Sequence, residues 1–95
     1  MRAEAHFHSP QSQSYFDRLI RHFAHKIQVS REDTRAQLVF SCGVVDLHVS
    51  DQRLTFLAQS EKAGDLSETC AILTDHMRRF AWREDKPDLS WHDFG

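Results

Sequence analysis

Basic side chains recur along one predicted helix at a spacing that places them on a single face. Arg18, His22 and His25 lie at positions i, i+4 and i+7, and Lys26 is next to them. Two imidazoles on one helical face can chelate a metal ion, and together with a guanidinium they can bind an anion. The same pattern is typical of a solvated basic face near a helix C-terminus. Two histidines without a nearby carboxylate or cysteine are weak evidence for a metal.

A second predicted helix carries a comparable flank beside its apolar stripe, made of His76, Arg79 and Arg83. The arginines could equally form ion pairs with acidic residues of the same helix, which are Glu68, Asp75 and Glu84. Trp82 points away from the apolar stripe. We expect it to pack against Trp91, with a subunit interface or a ligand as the alternatives.

Histidines also occur on the predicted strands. His6, His8 and His48, with Asp46, could share the sheet face away from the helices, and such a set would suit zinc or copper. That arrangement requires the first and fourth strands to be neighbours, so scattered surface histidines are the preferred interpretation. The same face would be partly apolar and would suit a dimer contact or the floor of a ligand site, through Val39, Val44 and Leu57.

Catalytic motifs are absent from the sequence. It contains no glycine-rich phosphate loop, no Gly-x-Ser-x-Gly motif and no His-Glu-x-x-His motif. Cys42 falls on a predicted inward strand face and Cys70 in a buried helical stripe, so neither is a good candidate nucleophile. We therefore expect no catalytic residues and no cofactor.

Hydrophobic periodicity predicts the elements that position these side chains. Residues 3–8 alternate as a strand, Ser9 and Pro10 resemble a helix cap and first helical position, and an amphipathic helix extends to Ile27. Alternation over 27–30, 36–42, 44–50 and 53–59 predicts four further strands, joined by connections that are short enough for antiparallel hairpins. A second amphipathic helix covers 62–83, and Leu89 to Trp91 form an edge strand or simply pack down.

The order β-α-β-β-β-β-α predicts an α+β fold. Each helix has one apolar stripe, so both should pack on one face of an antiparallel sheet in a two-layer sandwich. A chain of 95 residues is sufficient for one domain, residues 1–95.

Composition limits the class of partner. A net charge of −2 argues against a nucleic-acid binder, and no apolar run is long enough to cross a membrane. The N-terminal region has no apolar stretch typical of a signal peptide, and the two cysteines are expected to be reduced, so we expect a cytoplasmic protein. Protonation of all seven histidines would move the net charge from −2 to +5.

Two motifs in the predicted helices resemble a known family. The segment His22-Phe23-Ala24-His25-Lys26 and the later segment from His76 to Glu84, with Trp91 beyond it, are similar to the bacterial family called domain of unknown function 2218. The similarity spans Tyr15 to Trp91, and Trp82 stands where the family motif has phenylalanine. The resemblance implies a cytosolic bacterial protein associated with siderophore-interacting proteins, and hence with iron metabolism.

The family motifs select six candidate ligand-binding residues, which are His22, His25, Lys26, His76, Arg79 and Arg83. Neighbouring helices would bring them together as a cationic groove. The sequence thus predicts a non-enzymatic accessory domain that binds a small anionic or metal-chelating ligand. The alternatives are a homodimeric or partner-docking module that uses the open sheet face and Trp82, and a small enzyme with His22 or His76 as general base.

Overall fold

The computed structural model describes residues 1–94 as a six-stranded sheet with two helices on one face. In chain order the elements are β1 (Arg2–His8), α1 (Ser12–Phe23), β2 (Gln28–Glu32), β3 (Arg35–Val39), β4 (Val44–Ser50), β5 (Arg53–Gln59), α2 (Ala63–Phe80) and β6 (His92–Asp93). The predicted α+β fold and its order of elements are therefore confirmed. The terminal strand β6 lies after the predicted segment 89–91, in which Leu89 and Trp91 instead pack against the core.

The strands lie in the order β2-β3-β4-β5-β1-β6, and all neighbours are antiparallel. Strands β2 to β5 form successive hairpins because their connections are too short for crossovers. Two hairpin turns contain aspartates with positive φ, Asp33 at 57° and Asp51 at 56°, a conformation that aspartate tolerates better than most residues. The N-terminal strand β1 joins the sheet beside β5, the last strand of the hairpin series.

The core lies between the sheet and the helices. Side chains of β4 and β5 alternate between buried and more exposed positions, and the buried set is Val45, Leu47, Val49, Leu54, Phe56 and Ala58. The helices cover this surface with one apolar stripe each, formed by Tyr15, Phe16, Leu19 and Phe23 of α1 and by Leu66, Leu73 and Met77 of α2. Helical and strand periodicity therefore converge on one core.

Helix α1 begins later than the cap pattern predicted. Ser9 does not cap the helix; its carbonyl accepts hydrogen bonds from the Ser12 amide at 3.1 Å and the Ser12 hydroxyl at 2.8 Å. Pro10 therefore lies in a turn before the helix. The helix also ends at Phe23 instead of Ile27, because the Phe23 carbonyl accepts the amides of both Lys26 and Ile27 in a closing turn.

Three other boundaries differ from the sequence prediction. Strand β3 ends at Val39, so Cys42 lies in the following loop, where its sulfur accepts a hydrogen bond from the Thr69 hydroxyl at 3.1 Å. Strand β2 continues to Glu32, which leaves a tighter turn before β3. Helix α2 ends at Phe80, three residues before the predicted end.

The predicted contact between the two tryptophans is wrong. The Trp91 ring packs against Phe56, with 6.1 Å between centroids, and its indole N–H donates to the Thr74 hydroxyl at 2.8 Å. Trp82 is 66% exposed, and the Arg83 guanidinium lies 4.8 Å from its ring centroid. Trp91 is held because it lies over the sheet, whereas Trp82 follows the end of α2 and points to solvent.

A close approach at Gly43 gives a stability prediction. A Cβ atom there would lie 2.6 Å from both the Gln59 carbonyl oxygen and the Thr69 hydroxyl, far inside van der Waals contact. We expect Gly43→Ala to lower the free energy of unfolding by about 1–3 kcal/mol, as overpacking does. Urea unfolding measures the change.

Gly64 provides the matched control, because nothing lies within 4 Å of the equivalent Cβ position. Gly64→Ala within α2 should raise the free energy of unfolding, by about 0.5 kcal/mol, since alanine is the better helix former. Equal effects of the two alanine substitutions would show that the space around Gly43 does not constrain the fold.

Candidate functional site

The two helices meet through tilted and edge-to-face ring contacts. The imidazoles of His22 and His76 have centroids 4.9 Å apart, and His76 also lies 4.7 Å from Phe23. The Phe80 ring is 5.6 Å from His22, and the Phe40 ring is 5.1 Å from Phe23. We call these five residues the aromatic seam. It joins the last turns of α1 and α2 to the loop after β3.

The two histidines of the aromatic seam have different hydrogen-bond environments. His76 Nδ1 donates to the Ile72 carbonyl oxygen, one turn earlier in α2, at 2.7 Å. His22 Nε2 is buried and has no hydrogen-bond partner within residues 1–94. Since a buried polar atom without a partner is costly, His22 Nε2 is the group at this seam that would gain most from a ligand atom.

The charge state of His22 follows from its surroundings. Burial lowers the pKa of His22 below its usual value of 6.5, and the positive charges of His76, Lys26, Arg79 and His25 lower it further. The ring is therefore predominantly neutral at pH 7. An anion bound beside it would offset those charges and favour protonation.

A cleft of about 480 Å³ opens beside the aromatic seam, lined by Arg18, Arg21, His22, His25 and Phe80. We call it the basic cleft. Every polar side chain that lines it is basic, and over the described part of the chain none of these forms an ion pair. The Arg18 guanidinium lies 4.9 Å from the centroid of Phe80, which supports it from one side. The basic cleft thus has the charge and donors of an anion site.

The structure places four of the six predicted site residues in three environments. His22 and His25 line the basic cleft, and His76 lies behind His22 in the seam. Lys26 is exposed in the turn after α1 and acts on His22 through its charge. Their common use as a ligand site remains a prediction.

The two arginines of α2 already have partners. Arg79 donates to Asp75, one turn earlier, which is the ion-pair alternative that the sequence left open, and this contact lowers the pKa of Asp75. Arg83 lies over Trp82. Arg21 was missed as a site residue, although it has the i+3 spacing from Arg18 that places both on the face of His22 and His25.

The condition for a metal site on the strands is not met. Strands β1 and β4 lie on either side of β5, so they are not neighbours. His6 instead donates from Nε2 to Glu4 at 2.5 Å and shares a hydrogen bond of 3.1 Å with Thr55. Asp46 accepts a hydrogen bond from Gln37 at 3.0 Å. Over residues 1–94, no three His, Cys, Asp or Glu side chains are grouped so as to hold a metal ion.

Fold and site together define a class of protein, a small two-layer α+β domain with a basic cleft where its helices meet. The chain belongs to the family described as an uncharacterized protein conserved in bacteria, DUF2218, whose sequence profile matches residues 4–92. The resemblance seen in the two helical motifs is therefore confirmed. No curated protein matches the chain.

A solved structure has the same fold. The NMR structure of PA4090 from Pseudomonas aeruginosa is similar, with a TM-score of 0.78 and 21% sequence identity. The match covers 96% of this chain and 94% of PA4090. At this identity the likeness establishes the shared architecture alone. Among the helices of residues 1–94, none is long and apolar enough to cross a membrane.

The lowered pKa of His22 predicts a pH dependence of stability. Between the folded-state pKa and 6.5, the unfolded chain binds more protons at this residue than the folded chain does. This contribution to stability is therefore present above pH 6.5 and is lost as the pH falls below it. The slope should be a fraction of the about 1.4 kcal/mol per pH unit that one full proton gives.

Urea unfolding between pH 5 and 8 measures this slope. His22→Phe should reduce it, because phenylalanine keeps the ring packing and removes the titrating group. His25→Gln, at an exposed histidine, is the control. It should change the pH dependence of the free energy of unfolding less than His22→Phe does. If His22→Phe unfolds with an unchanged pH dependence, His22 does not titrate differently in the folded state.

Proposed function

We propose that the protein is a non-catalytic accessory domain that binds a small anionic ligand in the basic cleft. The observation that carries the proposal is the lining, in which two arginines and two histidines converge without a carboxylate. The chain as a whole carries a net charge of −2, so a cleft in which every polar lining residue is basic is contrary to its overall charge. Such a concentration attracts and holds an anion.

The chemistry of the lining favours oxygen anions. A guanidinium presents paired N–H donors that match the oxygens of a carboxylate or phosphate, and Arg18 and Arg21 are one turn apart on α1. His22 and His25 add imidazole nitrogens on the same face. We place these four in contact with the ligand, and His76 behind them as the support of the His22 ring. Lys26 and Arg79 contribute positive potential from the margin, as does Arg83, which lies just beyond the end of α2.

An anionic metal chelate is a specific form of this ligand. A chelated metal already has most of its ligands, so the protein would need only the charge of its arginines and one imidazole nitrogen such as His22 Nε2. The siderophore association implied by the family resemblance is consistent with such a ligand. A ferric chelate is therefore one of the probes used below. We also place the protein in the cytoplasm, where its two unpaired cysteines would remain reduced.

An NMR titration tests the proposal. The histidine ring signals are followed while inorganic phosphate, citrate and ferric citrate are added separately to the full chain. We expect saturable changes at His22 and His25, with His48 on the opposite sheet face unaffected. Arg18→Gln with Arg21→Gln should weaken binding at least tenfold, because it removes both guanidinium groups.

The control keeps the same change in net charge. Arg35→Gln with Arg53→Gln removes two exposed arginines from β3 and β5 and should leave the affinity within a factor of two. Equal weakening in both double variants would mean that the net charge of the whole protein attracts the anion. The absence of a saturable change at His22 would contradict the proposal. If the His22 and His25 signals change only with ferric citrate, the ligand is a metal chelate and not a simple anion.

Self-association is the second candidate function. No helix of residues 1–94 covers the other face of the sheet, and three half-buried apolar side chains lie on it, Val39, Val44 and Leu57. A second copy could cover them. Sedimentation equilibrium at pH 7 should then give a dimer mass, and Leu57→Glu should give the monomer mass. A monomer at high protein concentration would exclude this candidate.

A further inference from the structure

A second cavity lies on the other flank of α2, away from the basic cleft. It has a volume of about 720 Å³, within the usual range for small-molecule sites. Helix α2 forms one wall, through Leu66, Cys70, Ala71 and Thr74, and the C-terminal segment forms the other through Trp91 and Asp93. We call this space the α2 cavity.

The α2 cavity exists because two features leave space beside the helix. Ala71 and Thr74 are small, so this flank of α2 does not fill the volume beside it. Strand β6 is only two residues long and covers only the beginning of β1, where it pairs with Ala3 and Glu4. The Trp91 ring is fixed by its contact with Phe56 and its hydrogen bond to Thr74, so the aromatic wall is preorganised.

Most charged groups around the α2 cavity are already engaged. Arg78 donates to Asp88, and Asp75 accepts from Arg79. The guanidinium of Arg2 lies 4.8 Å from the Phe94 ring centroid. Arg2 precedes the inward-facing Ala3 in β1, so its side chain lies on the opposite sheet face. The N-terminal ammonium donates to the Ser60 carbonyl oxygen at 2.9 Å.

Asp93 differs from these groups. In the register of β1 and β6 it is paired with Ala3, which is fully buried on the helix side, so the Asp93 carboxylate is on the cavity side. It has neither an ion pair nor a side-chain hydrogen bond within the described residues. The charge of Asp93 also acts on Cys70 in the cavity wall. Burial is the main cause that raises the pKa of the Cys70 thiol to about 11, and the Asp93 carboxylate is the second cause. The thiol is therefore protonated, and Asp93 is the carboxylate of the cavity lining that has no ion pair within the described residues.

We propose that the α2 cavity binds a small apolar monocation, such as an arylalkylammonium. Its apolar part would contact Leu66, Cys70 and the face of Trp91, and its ammonium group would pair with Asp93. An aromatic wall beside a carboxylate is a favourable environment for an organic cation. This site is separate from the basic cleft and takes a ligand of opposite charge, so it stands independently of the proposed function.

The two tryptophans provide a direct assay. Each gives one indole N–H signal in a ¹⁵N correlation spectrum, and Trp82→Phe assigns them. Phenethylammonium chloride should shift the Trp91 signal saturably, while the exposed Trp82 signal serves as the internal reference. The uncharged 2-phenylethanol and the anionic 3-phenylpropionate have similar apolar parts. Both should bind at least tenfold more weakly than the ammonium.

Two variants separate the charge from the space. Asp93→Asn should weaken phenethylammonium binding at least tenfold and should make it similar to that of 2-phenylethanol. Ala71→Leu, at an exposed position of α2, should fill the cavity and weaken all three probes. Asp46→Asn on the opposite sheet face is the control with the same charge change and should bind normally.

Three outcomes would overturn the proposal. One is the absence of a saturable shift at Trp91 with any probe. The second is equal affinity for the cation and for its neutral analogue, because this would leave Asp93 without a role. The third is equal weakening by Asp46→Asn and Asp93→Asn, which would indicate attraction to the overall charge. A circular dichroism spectrum of each variant confirms that the fold is retained.

Discussion

The rest of the fold follows from the pairing of β1 with β5. All seven residues of β1 are in register with β5, which places three fully buried alanines, Ala3, Ala5 and Ala58, in the region that α2 covers. Small side chains there let the helix approach the sheet closely, as ridges and grooves require for dense packing. Larger residues would lift α2 and separate it from α1. The contact between His22 and His76 therefore depends on this strand pairing.

Hydrogen bonds between the chain beyond α2 and the beginning of α1 reinforce this arrangement. The carboxylate of Glu84, just beyond α2, accepts hydrogen bonds from the Tyr15 hydroxyl at 2.8 Å and the Ser9 hydroxyl at 3.0 Å. Burial, with the Glu84 carboxylate beside it, raises the pKa of Tyr15 to about 12, so the phenol remains a donor throughout the physiological range. Glu84 thus links the chain beyond α2 to the beginning of α1. Without its carboxylate, the Tyr15 and Ser9 hydroxyls would lose their hydrogen-bond acceptor.

Helix α2 is consequently bordered by two spaces of opposite character. On the α1 side its rings close the aromatic seam beside the basic cleft, and on the β1 side its small residues leave the α2 cavity. Its ionic groups Asp75 and Arg79 are paired with each other between these regions. One amphipathic helix can serve both spaces because its apolar stripe is narrow and leaves two flanks for other uses.

Most of the architecture could be predicted from periodicity because alternation and helical spacing are local properties. The apolar stripe of α1 and the inward residues of β4 and β5 are examples. Boundaries were less predictable where a tertiary contact competed with a local pattern. Ser9 has the residue type of a helix cap, but its groups are used in a turn and in the bond to Glu84. The basic residues of α1 could likewise be predicted as one face from their spacing.

The elements, the core residues, the basic face of α1 and the family motifs could all be identified from the amino-acid sequence. The folded chain was needed to show that β1 lies beside β5, that Arg79 pairs with Asp75, and that Trp91 lines a cavity while Trp82 is exposed. The difference lies in the range of the interactions. Periodicity reflects which side of one element is buried, whereas strand neighbours and cavities depend on contacts between distant segments, whose free energies no local pattern encodes.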